Sequence, residues 1–292
     1  MHNVFSLGRW RPVIYRQPEG VREVALTFDD GPHPETTPAI LKLLRQYNST
    51  ATFFFSGIRA AAYRNLVART VDAGHDVYGH GWEHVNLERA PGPTIVAAME
   101  RVEAVLREFR TTPDVYLVRL PYNAGGKRSH IHALTQCFHP DTRFAWWTIT
   151  TRDWLLARGC SDPADLARRC AAVAHELEQF SSLPGSVVLM HESPFGAEGS
   201  LSSRVAPMLL SEILKALVLR GLTAGPITID TNRTVLERFF CWHPGADRPI
   251  KSTPRGSDDS IWDRLRRKGA RPTPPGVNAI RIAFPRREKD GP

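Results

Sequence analysis

Short apolar runs alternate with amphipathic segments from residue 21 to about residue 235 of the chain. Most runs are four to six residues long and rich in valine, phenylalanine, tryptophan or isoleucine, which is typical of strands buried on both faces. They predict strands at residues 24–28, 51–55, 75–78, 115–119, 144–149, 186–190 and 222–227.

The segments between the predicted strands carry apolar residues at the spacing of one helix face. Thr36 and Thr37 supply a capping hydroxyl before Pro38, which signals the start of the first helix. Gly74 signals the end of the second helix, and residues 163–180 and 205–220 predict two more. The apolar stripes of the first three helices are Ile40, Leu43, Leu44 and Tyr47; Tyr63, Leu66, Val67 and Val71; and Ile95, Met99, Val102, Leu106 and Phe109.

This alternation of strands and helices predicts an α/β fold with parallel strands joined by helical crossovers. Seven strands in about 215 residues fit either a barrel or an open doubly wound sheet. No glycine-rich phosphate-binding motif follows a predicted strand, so the usual signatures of nucleotide binding are missing.

The pattern divides the chain into an N-terminal extension (residues 1–20), one large domain (21–240) and a C-terminal extension (241–292). The last segment holds 8 of the 23 prolines and has weak periodicity, so we expect it to run along the surface. Its apolar residues leave room for docking on the domain or for self-association. They are Trp242, Trp262, Ile280, Ile282 and Phe284.

The net charge of +8 does not predict a nucleic-acid partner, because most of it lies in the C-terminal extension. Residues 243–292 contain 12 Lys and Arg against 6 Asp and Glu, and the rest of the chain is nearly balanced. The four cysteines are too widely spaced for a zinc finger or a disulfide scaffold. Without an apolar run of membrane-spanning length or a signal-peptide pattern, we expect no membrane span and a cytoplasmic location.

Five of the predicted strands each have an ionisable residue at the carboxyl end. The carboxyl ends of parallel strands are where α/β folds build their active sites, so these side chains are candidates for one common site. They are Asp29 and Asp30, His80 and His84, Arg119, Asp153, and His191.

Asp29 and Asp30 precede a Gly-Pro pair, which also fits a turn that caps the next helix. Two carboxylates at the end of a buried strand repel each other unless a positive group neutralises one of them. A cation does this and leaves the other carboxylate free to act as a base. His80 and His84 are four residues apart, so two imidazoles and one carboxylate make a credible three-ligand metal site with open positions.

The other three residues have structural readings when each is taken alone. His191 fits a hydrogen-bonded structural histidine, Arg119 fits a partner for a core carboxylate, and Asp153 fits a turn cap. Their joint placement at strand ends favours a catalytic site.

Five motifs, in order along the chain, resemble those of NodB-like polysaccharide deacetylases, carbohydrate esterase family four. They are TFDDGP at residues 27–32, HxxxH at 80–84, RxPY at 119–122, DW at 153–154 and LxH at 189–191. The resemblance covers about residues 21–230 and implies a distorted (β/α)7-type barrel that acts as a metal-dependent N-deacetylase.

The resemblance also implies roles for the polar residues. Asp29 is then the general base, held and oriented by Arg119. His191 is the general acid that protonates the leaving amine, and Asp153 keeps its imidazole charged. The Tyr122 backbone N–H then stabilises the oxyanion.

By the same resemblance, Asp30, His80 and His84 hold one divalent metal ion. Two histidines and a carboxylate suit zinc, cobalt, nickel, manganese or iron, and zinc is the default expectation. Trp154 and Leu189 are then the walls of the acyl pocket.

Four positions depart from the family's usual motifs: Gly81, Leu120, Asn123 and Thr150. Gly81 replaces a hydroxyl residue, so we expect a hydrogen bond in that loop to be lost. The expected substrate is an N-acetylated sugar or oligosaccharide. The altered surroundings keep open an amidase or imidase that acts on a small non-sugar amide. A non-catalytic binding protein would lack the base, a ligand or the acid, and all of these are present.

Overall fold

The computed structural model describes residues 13–125, 129–139, 141–160, 162–196 and 200–229, together with residues 278 and 279. The strands are β1 (Val13–Ile14), β2 (Val24–Gly31), β3 (Thr52–Phe55), β4 (Asp76–Gly79), β5 (Tyr116–Val118), β6 (Thr142–Ala145), β7 (Ile149–Thr150), β8 (Val187–His191), β9 (Ala224–Gly225) and β10 (Asn278–Ala279). The helices are α1 (Thr36–Gln46), α2 (Gly57–Ala62), α3 (Arg64–Asp72), α4 (Gly92–Leu106), α5 (Ser129–Phe138), α6 (Pro163–Glu178) and α7 (Ser202–Leu219).

The strands form two parallel sheets that curve into a distorted barrel. The larger sheet has the order β10-β7-β8-β2-β3-β4, with β9 pairing with the start of β2, and the smaller has the order β1-β6-β5. The sheets meet where β5 lies beside β4 and where the chain passes directly from β6 to β7. The predicted α/β class is therefore confirmed, and the barrel replaces the open-sheet alternative.

The single strand predicted at residues 144–149 is wrong. The chain pairs with β1 up to Ala145, and the Trp146 N–H still donates to the Ile14 carbonyl (2.7 Å). The Thr148 N–H instead donates to the Val187 carbonyl (2.9 Å), so the next residues join the larger sheet. An unbroken apolar run carries no sign of this change of partner.

Residues 13–14, within the predicted N-terminal extension, belong to the smaller sheet as β1. Arg16 forms an isolated bridge with Ser186, which ties this segment to the start of β8. The domain therefore begins before residue 21. The C-terminal extension lies outside the described residues except for β10, whose backbone pairs with β7; its self-association stays a prediction.

The central strand β2 is buried along its whole length, as its continuous apolar run predicts. Its side chains alternate between two hydrophobic clusters. Val24, Leu26 and Phe28 pack in the cluster that includes α1, α6 and α7. Ala25 belongs to the other cluster, and Thr27 and Asp29 follow it at alternate positions.

The helices begin and end close to the predicted positions, with three differences. The first-turn prediction is wrong in detail: α1 starts at Thr36, and Thr37 Oγ1 accepts from the His33 N–H (2.8 Å) instead of capping from outside the helix. Tyr63 has a non-helical backbone and separates α2 from α3. Helices α2 and α5 were not predicted. Within the part of the chain that the structure describes, no helix has the length and apolarity to cross a membrane.

Candidate metal-dependent active site

Three predicted ligands converge at the carboxyl end of the larger sheet. Asp30 lies at the end of β2, His80 follows β4, and His84 lies on the loop after it. Asp30 Oδ1 is 3.5 Å from His80 Nε2 and 3.2 Å from His84 Nε2. Since all three candidate ligand atoms lie within 4.8 Å of one another, one ion can reach them all.

The local backbone explains how two consecutive aspartates both face this centre. In a regular strand the side chains of Asp29 and Asp30 would point to opposite faces. Asp30 instead has a φ of 70°, which breaks the alternation. Asp29 Oδ2 is then 3.9 Å from His80 Nε2, close to the distance of the Asp30 carboxylate.

The hydrogen bonds of the site suit a cation. His80 Nδ1 lies 2.7 Å from the Arg119 carbonyl oxygen, which only accepts, so Nδ1 carries the proton and Nε2 turns its lone pair to the centre. Asp30 Oδ1 is buried and, among the described residues, accepts no hydrogen bond. A buried carboxylate oxygen without a donor is costly unless a positive ion neutralises it. The three side chains therefore fit a divalent metal.

Asp29 lies beside the three candidate ligands, but its carboxylate is held by Arg119. Arg119 Nη1 donates to Asp29 Oδ1 (2.9 Å) and to Thr27 Oγ1 (2.7 Å). Burial alone would raise the pKa of the Asp29 carboxyl. The charges of Arg119, His80 and His191 outweigh burial and lower this pKa below its ordinary value. Asp29 is therefore ionised at neutral pH, as a base must be.

Arg119 is among the largest fully buried side chains, and its guanidinium bonds to both sheets, to Thr27 on β2 and to Ala145 on β6. Its Nε donates to the Ala145 carbonyl (2.7 Å) and its Nη2 to the Trp146 carbonyl (3.1 Å). These carbonyls lie where the chain passes from β6 to β7. Arg119 thus stabilises the break in the barrel and orients Asp29 with the same planar group.

His191 and Asp153 form a second ionisable pair. Asp153 Oδ1 is 2.9 Å from His191 Nδ1, and Oδ2 accepts from the His191 backbone N–H (2.5 Å). Burial alone would lower the pKa of the His191 imidazole. The charge and hydrogen bond of Asp153, with smaller effects of Asp30 and Asp29, raise this pKa to about 9. His191 therefore carries a proton at neutral pH.

The register of β2 and β8 brings the Asp29–Arg119 pair next to the Asp153–His191 pair. In the parallel pairing of β2 with β8, Asp29 lies opposite His191, and the next N–H, that of Glu192, donates to the Asp29 carbonyl (2.9 Å). An ionised carboxylate and a protonated imidazole thus lie side by side next to the candidate metal site.

The predicted substrate-contacting residues have different surroundings. Tyr122 has a φ of 62° in a short 3-10 turn, and its ring centroid is 4.5 Å from that of His84. Trp154 is 36% exposed and meets the His191 ring edge-on. Leu189 is buried, and it is not among the residues that line the small pocket beside Trp154 and His191.

Three residues near the site were not predicted from the sequence: Arg59, Glu192 and Phe195. Arg59 Nη1 donates to the Asp30 carbonyl, and Phe195 stacks on His84. Glu192 is fully buried, and Thr37 donates to it. Burial raises the pKa of the Glu192 carboxyl to about 8, against the opposing effects of the Thr37 hydrogen bond and the Arg59 charge. One feature of the sequence points to Arg59. It follows the predicted strand at 51–55, to whose carboxyl end no ionisable residue was assigned.

Backbone hydrogen bonds support the loop that contains Gly81. The Gly57 and Ile58 N–H groups donate to the carbonyls of Gly81 (2.9 Å) and Trp82 (3.0 Å). Gly81 also has a φ of 73°, a conformation that glycine adopts without strain. Two backbone hydrogen bonds therefore hold this loop without a side-chain hydroxyl at position 81.

An acid–base pair beside a candidate metal site, at the carboxyl end of a parallel α/β barrel, is the arrangement of a hydrolase. The family model described as polysaccharide deacetylase matches residues 16–136. A peptidoglycan-N-acetylglucosamine deacetylase of Bacillus cereus is 31% identical over 213 residues, which cover 69% of this chain and 71% of that protein. The chain belongs to the polysaccharide deacetylase family.

Two further relatives agree with this assignment. A chitooligosaccharide deacetylase of Azorhizobium caulinodans is 26% identical over 211 residues, covering 70% of this chain and 92% of that protein. A crystal structure of a peptidoglycan N-acetylglucosamine deacetylase superposes with a TM-score of 0.58 at 28% identity, covering 73% of this chain and 89% of that one. The family predicted from the five motifs is confirmed.

Proposed function

We propose that this chain is a metal-dependent deacetylase that hydrolyses the N-acetyl group of a sugar or oligosaccharide. The observation that carries the proposal is the placement of Asp29 and His191 on paired strands. One is held ionised and the other protonated, beside the site of Asp30, His80 and His84. Amide hydrolysis needs both, because water must lose a proton and the amine leaves poorly unless it gains one.

In the proposed reaction, Asp29 accepts a proton from the attacking water, and Arg119 holds its carboxylate in place. His191 donates its proton to the departing amine, while Asp153 stabilises the charged imidazole. The Tyr122 backbone N–H is proposed to face the developing oxyanion. This role is supported by the position of Tyr122 in the short 3-10 turn after β5, with its ring centroid 4.5 Å from that of His84.

We propose zinc as the ion held by Asp30, His80 and His84, since a carboxylate and two imidazole nitrogens suit it. Cobalt, nickel, manganese and iron suit the same ligands. A bound divalent ion supplies Lewis acidity to the acyl oxygen and to water.

An exposed aromatic ring beside the site favours a sugar over a small amide. Trp154 is 36% exposed, and its ring meets the His191 ring edge-on. Such a ring offers an apolar surface to a pyranose, whereas a small-amide enzyme is expected to enclose its substrate. The curated relatives described above are named for acetylated glycans. The amidase or imidase alternative has no comparable support.

A substrate panel tests the proposal. The metal-loaded protein is incubated with N-acetylglucosamine oligomers of increasing length and, in parallel, with small acetamides and cyclic imides. Acetate and ring-opened products are then quantified. We expect acetate from the oligomers at a rate well above that from the small amides. Turnover confined to amides or imides would contradict the sugar assignment and leave the hydrolase assignment in place.

A further inference from the structure

Arg59, on α2, donates to main-chain carbonyls at the end of β2 and just beyond the end of β8. Its Nη1 donates to the Asp30 carbonyl oxygen (2.5 Å) and to the Ser193 carbonyl oxygen (2.6 Å). Asp30 is a candidate ligand at the end of β2, and Ser193 lies two residues beyond His191, the last residue of β8. One guanidinium nitrogen thus ties the end of the ligand strand to the end of the acid strand.

The backbone of Asp30 needs such a tie. Its φ of 70° lies in the left-handed region, which is unfavourable for a residue other than glycine and persists only where the surroundings fix it. That conformation also turns the carboxylate to the ligand centre. A hydrogen bond to the Asp30 carbonyl therefore stabilises the peptide orientation on which the ligand position depends.

The same guanidinium reaches a second ligand through an aromatic ring. The Arg59 guanidinium carbon lies 3.7 Å from the centroid of the Phe195 ring. That ring stacks on His84 with centroids 4.9 Å apart and planes at 7°. Cation–π contact and ring stacking both restrict the rings involved. Arg59 thus acts on Asp30 directly and on His84 through Phe195.

We propose that Arg59 and Phe195 are positioning residues that set the metal affinity of the site, by fixing the Asp30 peptide and the plane of the His84 ring. This inference rests on the proposed metal centre. The ends of other strands supply the candidate ligands, the base and the acid. The segment that follows β3 supplies Arg59, which holds the ligands in position. Residues that orient metal ligands without touching the ion commonly change metal affinity about 10–100-fold when they are replaced.

The test compares metal binding by apo-protein variants. Arg59→Met keeps the length of the side chain and loses the donor, whereas Arg59→Lys keeps a cationic donor. Phe195→Leu keeps an apolar side chain and loses the stacking. Arg64→Met is the matched control, because Arg64 pairs with Glu108 and lies over the Phe109 ring in the same kind of contact. Each variant is titrated with Co²⁺, and its Kd and visible absorption spectrum are recorded.

We expect Arg59→Met to weaken Co²⁺ binding by about 10–100-fold and to alter the visible spectrum at saturation. Phe195→Leu is expected to show a smaller effect in the same direction, and Arg59→Lys to recover most of the affinity. Arg64→Met is expected to match the wild type. Cooperative thermal unfolding of each apo-protein shows that the fold is intact. If Arg59→Met does not fold, the variant at Phe195, which is 36% exposed, decides the test.

A wild-type Kd and spectrum in folded Arg59→Met, or in Phe195→Leu where that variant decides, would overturn this inference and leave the proposed metal centre standing. A wild-type protein that binds no Co²⁺ at all would overturn both. The two failures are therefore distinguishable in one experiment.

Discussion

Asp29 and Asp30 are adjacent carboxylates that the structure places in different surroundings. Asp29 is held by Arg119, whereas Asp30 Oδ1 faces two imidazole nitrogens. The sequence identified the pair as chemically important, but the residues alone did not say which aspartate binds metal. That distinction depends on the positive φ of Asp30, which no residue pattern encodes directly.

The different surroundings predict different effects of substitution. Asp29→Asn keeps the shape of the side chain and removes the base, so we expect metal content to stay near that of the wild type. We expect kcat to fall by about 10²–10⁴-fold, the usual contribution of a general base. Metal analysis and acetate release measure the two effects. Turnover close to wild type in Asp29→Asn would exclude Asp29 as the base.

The Asp153–His191 pair predicts a pH effect. The acid must be protonated, so activity falls as the pH rises through the pKa of His191, which Asp153 helps to raise to about 9. In Asp153→Asn the opposing effect of burial dominates and the pKa of His191 falls. We therefore expect the alkaline limb of the kcat/KM profile to move to lower pH, so that activity is lost more at about pH 9 than at about pH 6. An unshifted limb would show that another group is the acid.

The barrel depends on Arg119 at the point where β6 passes into β7. Its donors satisfy the carbonyls of Ala145 and Trp146. The sequence predicted Arg119 as a strand-end residue but gave one strand for residues 144–149. Apolar periodicity reports burial and does not report the strand with which each residue pairs. In the structure, the change of strand partner between β6 and β7 occurs where a buried arginine donates to main-chain carbonyls.

Arg119→Met is expected to destabilise the fold by about 3–5 kcal/mol at neutral pH, because it leaves the Asp29 carboxylate buried without its partner. The pKa of Asp29 is lowered in the folded protein. Its stabilising contribution is therefore present above the unfolded pKa of aspartate, about 3.9, and is lost as the pH falls through the lower folded value. Denaturant unfolding of both proteins, at neutral and acidic pH, measures this. A pH-independent difference between the two proteins would contradict the pairing.

The sequence predicted the α/β class of the whole domain, its central buried strands and the end of the sheet where the site lies. These follow from local patterns and from the geometry of parallel strands. Arg59 and Phe195 were not predictable in the same way. Their roles depend on α2 lying beside the loop after β8, which is a contact between segments more than 130 residues apart in the chain. The surface course of residues 241–292 and the cytoplasmic location stay predictions.

The decisive measurement is metal-dependent acetate release from one N-acetylglucosamine oligomer by the wild type and by His84→Ala. We expect the wild type to bind one divalent ion, to lose activity on chelation and to regain it when zinc is restored. We expect His84→Ala to lose both the ion and the acetate release. Acetate release that survives chelation, or that persists in a metal-free His84→Ala protein, would show that the reaction does not need a metal ion held by His84.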